Sequence, residues 1–163
     1  EARAQGTVGR PHMAQLLVER GYASHLNDAF NRFLGTKGIA YTPRAKLQAA
    51  SALELLAEEG ATSIVAHPAL LKASRDALAA ELIRLQKHGL HGIEVHYSEH
   101  RPDVARAMAS IADRLGLLHS GGSDFHGDVK PEVRMGWGRG DLHVDVSLLE
   151  AMERERLARG LWV

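Results

Sequence analysis

The sequence predicts an α/β protein: helices alternating with short parallel strands, preceded by a small helical lobe. Three observations carry this. Apolar residues at helical spacing stop repeatedly at a glycine, at Gly60, Gly89 and Gly116. Each stop is followed by a short apolar or β-branched run, in residues 62–66, 92–96 and 117–120. Residues 8–43 read instead as short helices broken by Gly21, Gly35 and Gly38.

The helical lobe is assigned to residues 1–43, with helices over 13–20 and 26–34 and Asn27 as the N-cap of the second. Residues 44–163 form the second part. Its first helix is expected over 44–59, with Leu47, Ala50, Leu53 and Ala57 near one face. The second covers 75–88, with Leu78, Leu82 and Leu85 aligned. The third covers 102–115, with Val104, Met108, Ile111 and Leu115 on one stripe, Pro102 in its first turn and Gly116 at its end. One helix between successive strands implies parallel pairing through right-handed crossovers, in an open sheet or part of a barrel. A looser loop with Pro131, Gly136, Gly138 and Gly140 follows, then an extended stretch at 142–146. A last helix begins at Ser147, where Ser147 and Glu150 have capping-box spacing.

The length, 163 residues, suits one domain or a large part of a bigger one. The formal net charge of zero offers no basic field for long duplex nucleic acid. There is no cysteine, so any metal is held by His, Asp and Glu, ligands that suit Mn, Fe, Zn or Mg. No apolar run reaches membrane-spanning length and no signal peptide is visible, so a cytoplasmic enzyme is expected. The chain opens on Glu1-Ala2-Arg3 without an initiator methionine, and is expected to be a fragment, a processed product or a trimmed chain.

Chemistry in parallel α/β sheets sits at the C-terminal strand ends. The first strand runs into His67-Pro68, the second carries Glu94 and His96, and the third runs into Asp124 and His126. Three successive strands therefore deliver ligand-type side chains to one face. Singly, His67 also reads as a satisfied strand end, and Asp124 with His126 as a glycine-rich Asx turn. Glu94 and His96 share a strand face opposite Ile93 and Val95, and Glu94 is expected to support a ligand or pair with a cation rather than bind metal. His88 and His91 read as surface residues at the strand entry, and His119 as a core or supporting residue. His100 is a substrate contact or a solvated loop residue. Arg10 and His12, in Gly9-Arg10-Pro11-His12, read as a phosphate-holding pair or as a capped helix start.

Four stretches together resemble the PHP (polymerase and histidinol phosphatase) superfamily: Gly9-Arg10-Pro11-His12, Val65-Ala66-His67-Pro68, Gly92-Ile93-Glu94-Val95 with His100, and Gly122-Ser123-Asp124-Phe125-His126-Gly127. The likeness is greatest to its branch of nucleoside 3′,5′-bisphosphate phosphatases and short-RNA 5′-exonucleases. It implies the C-terminal part of a distorted (β/α)7 barrel holding two or three divalent metals (Mn, Fe or Zn). It puts His67, Asp124 and His126 at ligand positions, Arg10 and His12 at a substrate phosphate, and residues 1–43 in an insertion covering the site. The family's opening His-x-His pair is missing, and no His-x-His occurs anywhere in the chain. The chain therefore looks like a C-terminal portion whose partner is the N-terminal barrel segment. His96 stands where relatives often carry an aromatic or amide side chain.

The expected activity is metal-assisted hydrolysis of small phosphorylated nucleotides or short 5′-phosphorylated oligonucleotides, with Asp124 as the catalytic residue. Two other readings stand beside it. One is a non-catalytic or incomplete chain. The other is a phosphatase for another small phosphomonoester such as histidinol phosphate, or a polymerase-associated exonuclease; the Gly-Arg-Pro-His opening argues against both members of that pair.

Overall fold

Pro102 and Gly116 bound one helix as the sequence predicts. Proline fills the first helical position, and Gly116 closes the helix in the left-handed conformation at φ 65°. The computed structural model describes residues 9–43 and 46–162. The chain divides into two units, Glu1–Lys46 and Leu47–Val163, a division three residues beyond the one read from the sequence.

In the first unit, α1 spans Arg10–Glu19 and α2 spans Leu26–Ala29, continuing as a π-helical stretch over Phe30–Leu34. Ala14, Ala23, Ala29 and Leu34 are buried, with Leu17, Val18, Leu26, Phe30 and Phe33 packed around them. The N-cap of α2 is His25 rather than Asn27. Its Nδ1 accepts the Asp28 N–H at 3.2 Å.

The second unit is α/β. It contains α3 (Ala49–Glu58), β1 (Ile64–Val65), α4 (Arg75–Gln86), β2 (Gly92–Tyr97), α5 (Pro102–Leu115), β3 (Leu118–Gly122) and α6 (Ser147–Ala158). The strands form a parallel sheet in the order β1-β2-β3. Leu78, Leu82 and Leu85 of α4, Met108, Ile111 and Ala112 of α5, and Ile93 and Val95 of β2 make one buried core. Each large aliphatic side chain so buried contributes about 1.5–3 kcal/mol. Glu94 and His96 alternate with these on the other face. Between Glu94 and His96 the β2–β3 register slips, leaving Val95 without a partner on β3.

Two local expectations are corrected. The helix expected over 44–59 begins only at Ala49, and Leu47 is exposed, outside the helical turn that would have buried it. Residues 44–45 of that expectation lie outside the described residues. The Ser147–Glu150 capping box does not form, because the Asp145 carboxylate takes the Ser147 N–H at 2.8 Å. That contact also lowers the Asp145 pKa, through the Ser147 hydroxyl and then its N–H. Residues 142–146 pair with no strand among the described residues.

Candidate functional site

The ends of β1, β2 and β3 converge on Tyr97. This residue is 4% exposed, at the last position of β2. Its ring lies 5.3 Å from that of His67 and 5.2 Å, edge-on, from that of His100. Its hydroxyl donates to Asp124 Oδ2 at 3.2 Å. Burial, then the negative charges of Asp124 and Glu99, raise its pKa.

His67 and Asp124 are two of three described non-glycine residues with positive φ, at 33° and 56°. Such conformations cost on the order of 1–3 kcal/mol and persist where the surroundings enforce them. For His67 the enforcement is visible. Pro68 favours extended backbone for the residue before it, so the left-handed turn at His67 is held by other contacts. Glu94 Oε2 accepts the His67 N–H at 2.7 Å. Glu94 therefore supports the turn that carries His67.

Asp124 is held from several sides. Lys130 Nζ donates to Oδ2 at 2.7 Å and lies 3.7 Å from Glu99 Oε1. Burial raises the Asp124 pKa, but Lys130, His126 and the Tyr97 hydroxyl outweigh it, and the net shift is downward. The Lys130 pKa is raised, chiefly by its hydrogen bond to Asp124. The exposed His126 donates its Nδ1–H to the Asp124 carbonyl at 2.7 Å. That tautomer leaves Nε2 as a free lone pair, the arrangement an imidazole ligand requires. The half-buried His100 likewise donates Nδ1–H to the Val95 carbonyl at 2.9 Å, and its buried Nε2 has no hydrogen-bond partner among the described residues.

The donor chemistry fits a divalent metal: neutral imidazoles and a carboxylate. Among the described residues, however, no three His, Asp or Glu side chains are gathered as a metal-holding group. His67 and Asp124 meet through Tyr97, and His126 sits beside Asp124.

In the helical unit, Gly9 N–H donates to His12 Nδ1 at 3.0 Å, so the neutral ring carries its proton on Nε2. Arg10 is exposed and lines a cavity of about 280 Å³ together with Thr36, Tyr41, Thr42 and Lys46.

Several other histidines make contacts within the fold. His88 meets Glu54 Oε1 at 2.7 Å on the surface, and His119 Nε2 meets Asp113 Oδ1 at 2.9 Å. His91, expected at the surface, is only 15% exposed and accepts the Ser63 N–H at 3.1 Å. It is covered because α6 packs over the entry to the sheet, with Glu155 3.9 Å from its Nε2. His96 has a lowered pKa, from burial and then the neighbouring His119, His143 and His100.

Tyr97 and Lys130 were not legible as site residues. Tyr97 occupies an apolar alternation position and reads as core. Lys130 stands six residues past Asp124 in a loop without periodicity, where no motif marks it.

The chain is 30% identical over 121 residues to the 5′-3′ exoribonuclease Rnm of Escherichia coli, a match spanning 74% of this chain and 41% of that enzyme. It is 29% identical over 119 residues to the 3′,5′-nucleoside bisphosphate phosphatase of Chromobacterium violaceum, spanning 73% of this chain and 42% of that one. A solved structure from Bifidobacterium adolescentis, described as a metal-dependent phosphoesterase, superposes with a TM-score of 0.74 at 28% identity, over 99% of this chain and 54% of the other. In sequence and in fold this chain is similar to these phosphate-ester hydrolases. The chain spans less than half the length of these two curated relatives. No protein-family model matches it. No described helix is long and apolar enough to cross a membrane.

Proposed function

We propose that this PHP-like chain carries part of the active site of a metal-dependent phosphoesterase. Its substrates are nucleotide phosphate esters, namely 3′,5′-bisphosphates or short 5′-phosphorylated oligonucleotides. The observation that carries the reading is the convergence of His67 and Asp124, from different strand ends, on one buried tyrosine. We read the three strands as the C-terminal part of a distorted (β/α)7 barrel, supported by the parallel order and the superposition.

His67, Asp124 and His126 would hold a divalent ion (Mn, Fe or Zn). When bound, such an ion supplies Lewis-acid polarisation of a phosphoryl oxygen and of water. Asp124 accepts a proton from the attacking water. His67 and His126 would bind the ion through imidazole nitrogen lone pairs. Arg10, which lines its cavity together with Lys46, would bind a phosphate as a cation, and His12 would donate from Nε2. His100 contacts substrate through Nε2.

The absence of a three-ligand group among the described residues favours a second reading, in which this chain alone is not catalytic. Phosphate release by the intact protein, with Mn²⁺ supplied, separates them. The proposal expects adenosine 3′,5′-bisphosphate to be hydrolysed at least about tenfold faster than histidinol phosphate, a difference of about 1.4 kcal/mol. Arg10→Ala should weaken the first reaction selectively. No release from either substrate supports the second reading.

A further inference from the structure

We propose that Tyr97 is a positioning residue that orients His67, His100 and Asp124 as one unit, an inference resting on the hydrolase reading of this site. Each of these side chains comes from a different place in the second unit. His67 follows β1, His100 follows β2, and Asp124 follows β3. One buried ring touches both imidazoles, at 5.3 and 5.2 Å, and its hydroxyl holds the carboxylate at 3.2 Å.

The hydroxyl does more than fill space. A buried phenol that only packed would leave its O–H seeking any acceptor. This one donates to Oδ2, the same oxygen that Lys130 takes at 2.7 Å. Both protein donors therefore fall on Oδ2. Among the described residues, Oδ1 is left with no donor closer than His126 Nδ1, at 3.5 Å. The carboxylate is thus anchored by one oxygen and offers the other.

The test uses Tyr97→Phe and Tyr97→Leu in the intact protein, read in three ways. Imidazole NMR shifts report the ring packing without any metal. Calorimetric titration with Mn²⁺ reports the offered oxygen. Steady-state phosphate release separates kcat from KM. Tyr97→Phe should leave the His67 and His100 shifts near wild type, lower Mn²⁺ affinity about tenfold, and lower kcat about tenfold with little change in KM. Tyr97→Leu should displace both imidazole shifts. A Tyr97→Phe protein matching wild type in Mn²⁺ affinity and kcat overturns the proposal, as do unmoved imidazole shifts in Tyr97→Leu. Should Tyr97→Leu fail to fold, Tyr97→Phe decides alone. A wild type that releases no phosphate defeats the hydrolase reading, while the imidazole shifts still decide the role of Tyr97.

Discussion

Removing the Glu94 carboxylate isolates the support of His67 from the chemistry of His67 itself. In Glu94→Ala the His67 N–H loses an acceptor at 2.7 Å. A hydrogen bond to a charged group contributes about 1.5–3 kcal/mol. Two effects reduce the net loss. His67 is half-buried, so water reaches part of the freed N–H. Its backbone at φ 33° also relaxes once released, recovering some of the strain. The expected net destabilisation is about 1–2 kcal/mol, or a fall in Tm of roughly 3–8 °C for a chain of this size. Glu94→Gln keeps an acceptor oxygen and should lose less than about 1 kcal/mol. Thermal unfolding followed by circular dichroism measures both. Phosphate release should fall about tenfold in Glu94→Ala, because His67 is no longer fixed. A Glu94→Ala Tm within about 1 °C of wild type would refute the claim that Glu94 enforces the His67 turn.

Gly121→Ala should cost about 1–3 kcal/mol, since a Cβ there meets His96 Cβ at 2.7 Å and Val144 Cγ2 at 2.8 Å. Gly122→Ala meets only the Glu94 Oε1 tip, at 3.3 Å, and should cost clearly less. Equal urea midpoints for the two variants would contradict this packing. His91 predicts a pH dependence. Burial, then the Arg159 charge, lowers its folded pKa below the ordinary 6.5 despite Glu155. Between those two values the unfolded chain binds the extra proton, so stability is full above about pH 6.5 and falls with acid until the folded pKa is passed. His91→Ala should flatten that part of the stability–pH curve, and an unchanged slope would contradict the assignment.

The repeating part of the fold was legible because burial imposes periodicity. Leu78, Leu82 and Leu85 share a face and are buried, and Pro102 and Gly116 mark true helix ends. Helix starts were less legible. His25 and Asp145 cap through geometry that Asn27 and Ser147 matched only in spacing. At the candidate site, the Ala-His-Pro and Ser-Asp-Phe-His stretches stood out because they follow strands directly. The structure brings His67 and Asp124 to one tyrosine. Tyr97 stayed hidden because its role depends on long-range approach, with Tyr97 and Asp124 27 residues apart in sequence; Lys130, only six residues past Asp124, stayed hidden because its loop has no periodicity to mark it. His91 was misjudged for a similar reason, as its cover comes from Glu155 on a helix near the far end of the chain.

The most direct measurement is Mn²⁺-dependent phosphate release from adenosine 3′,5′-bisphosphate by the intact protein and its Asp124→Ala variant. A metal-dependent phosphoesterase with Asp124 at its centre predicts robust release by wild type and a loss of about 100-fold or more in a variant that remains folded. Wild-type-like release by Asp124→Ala with metal supplied would contradict it.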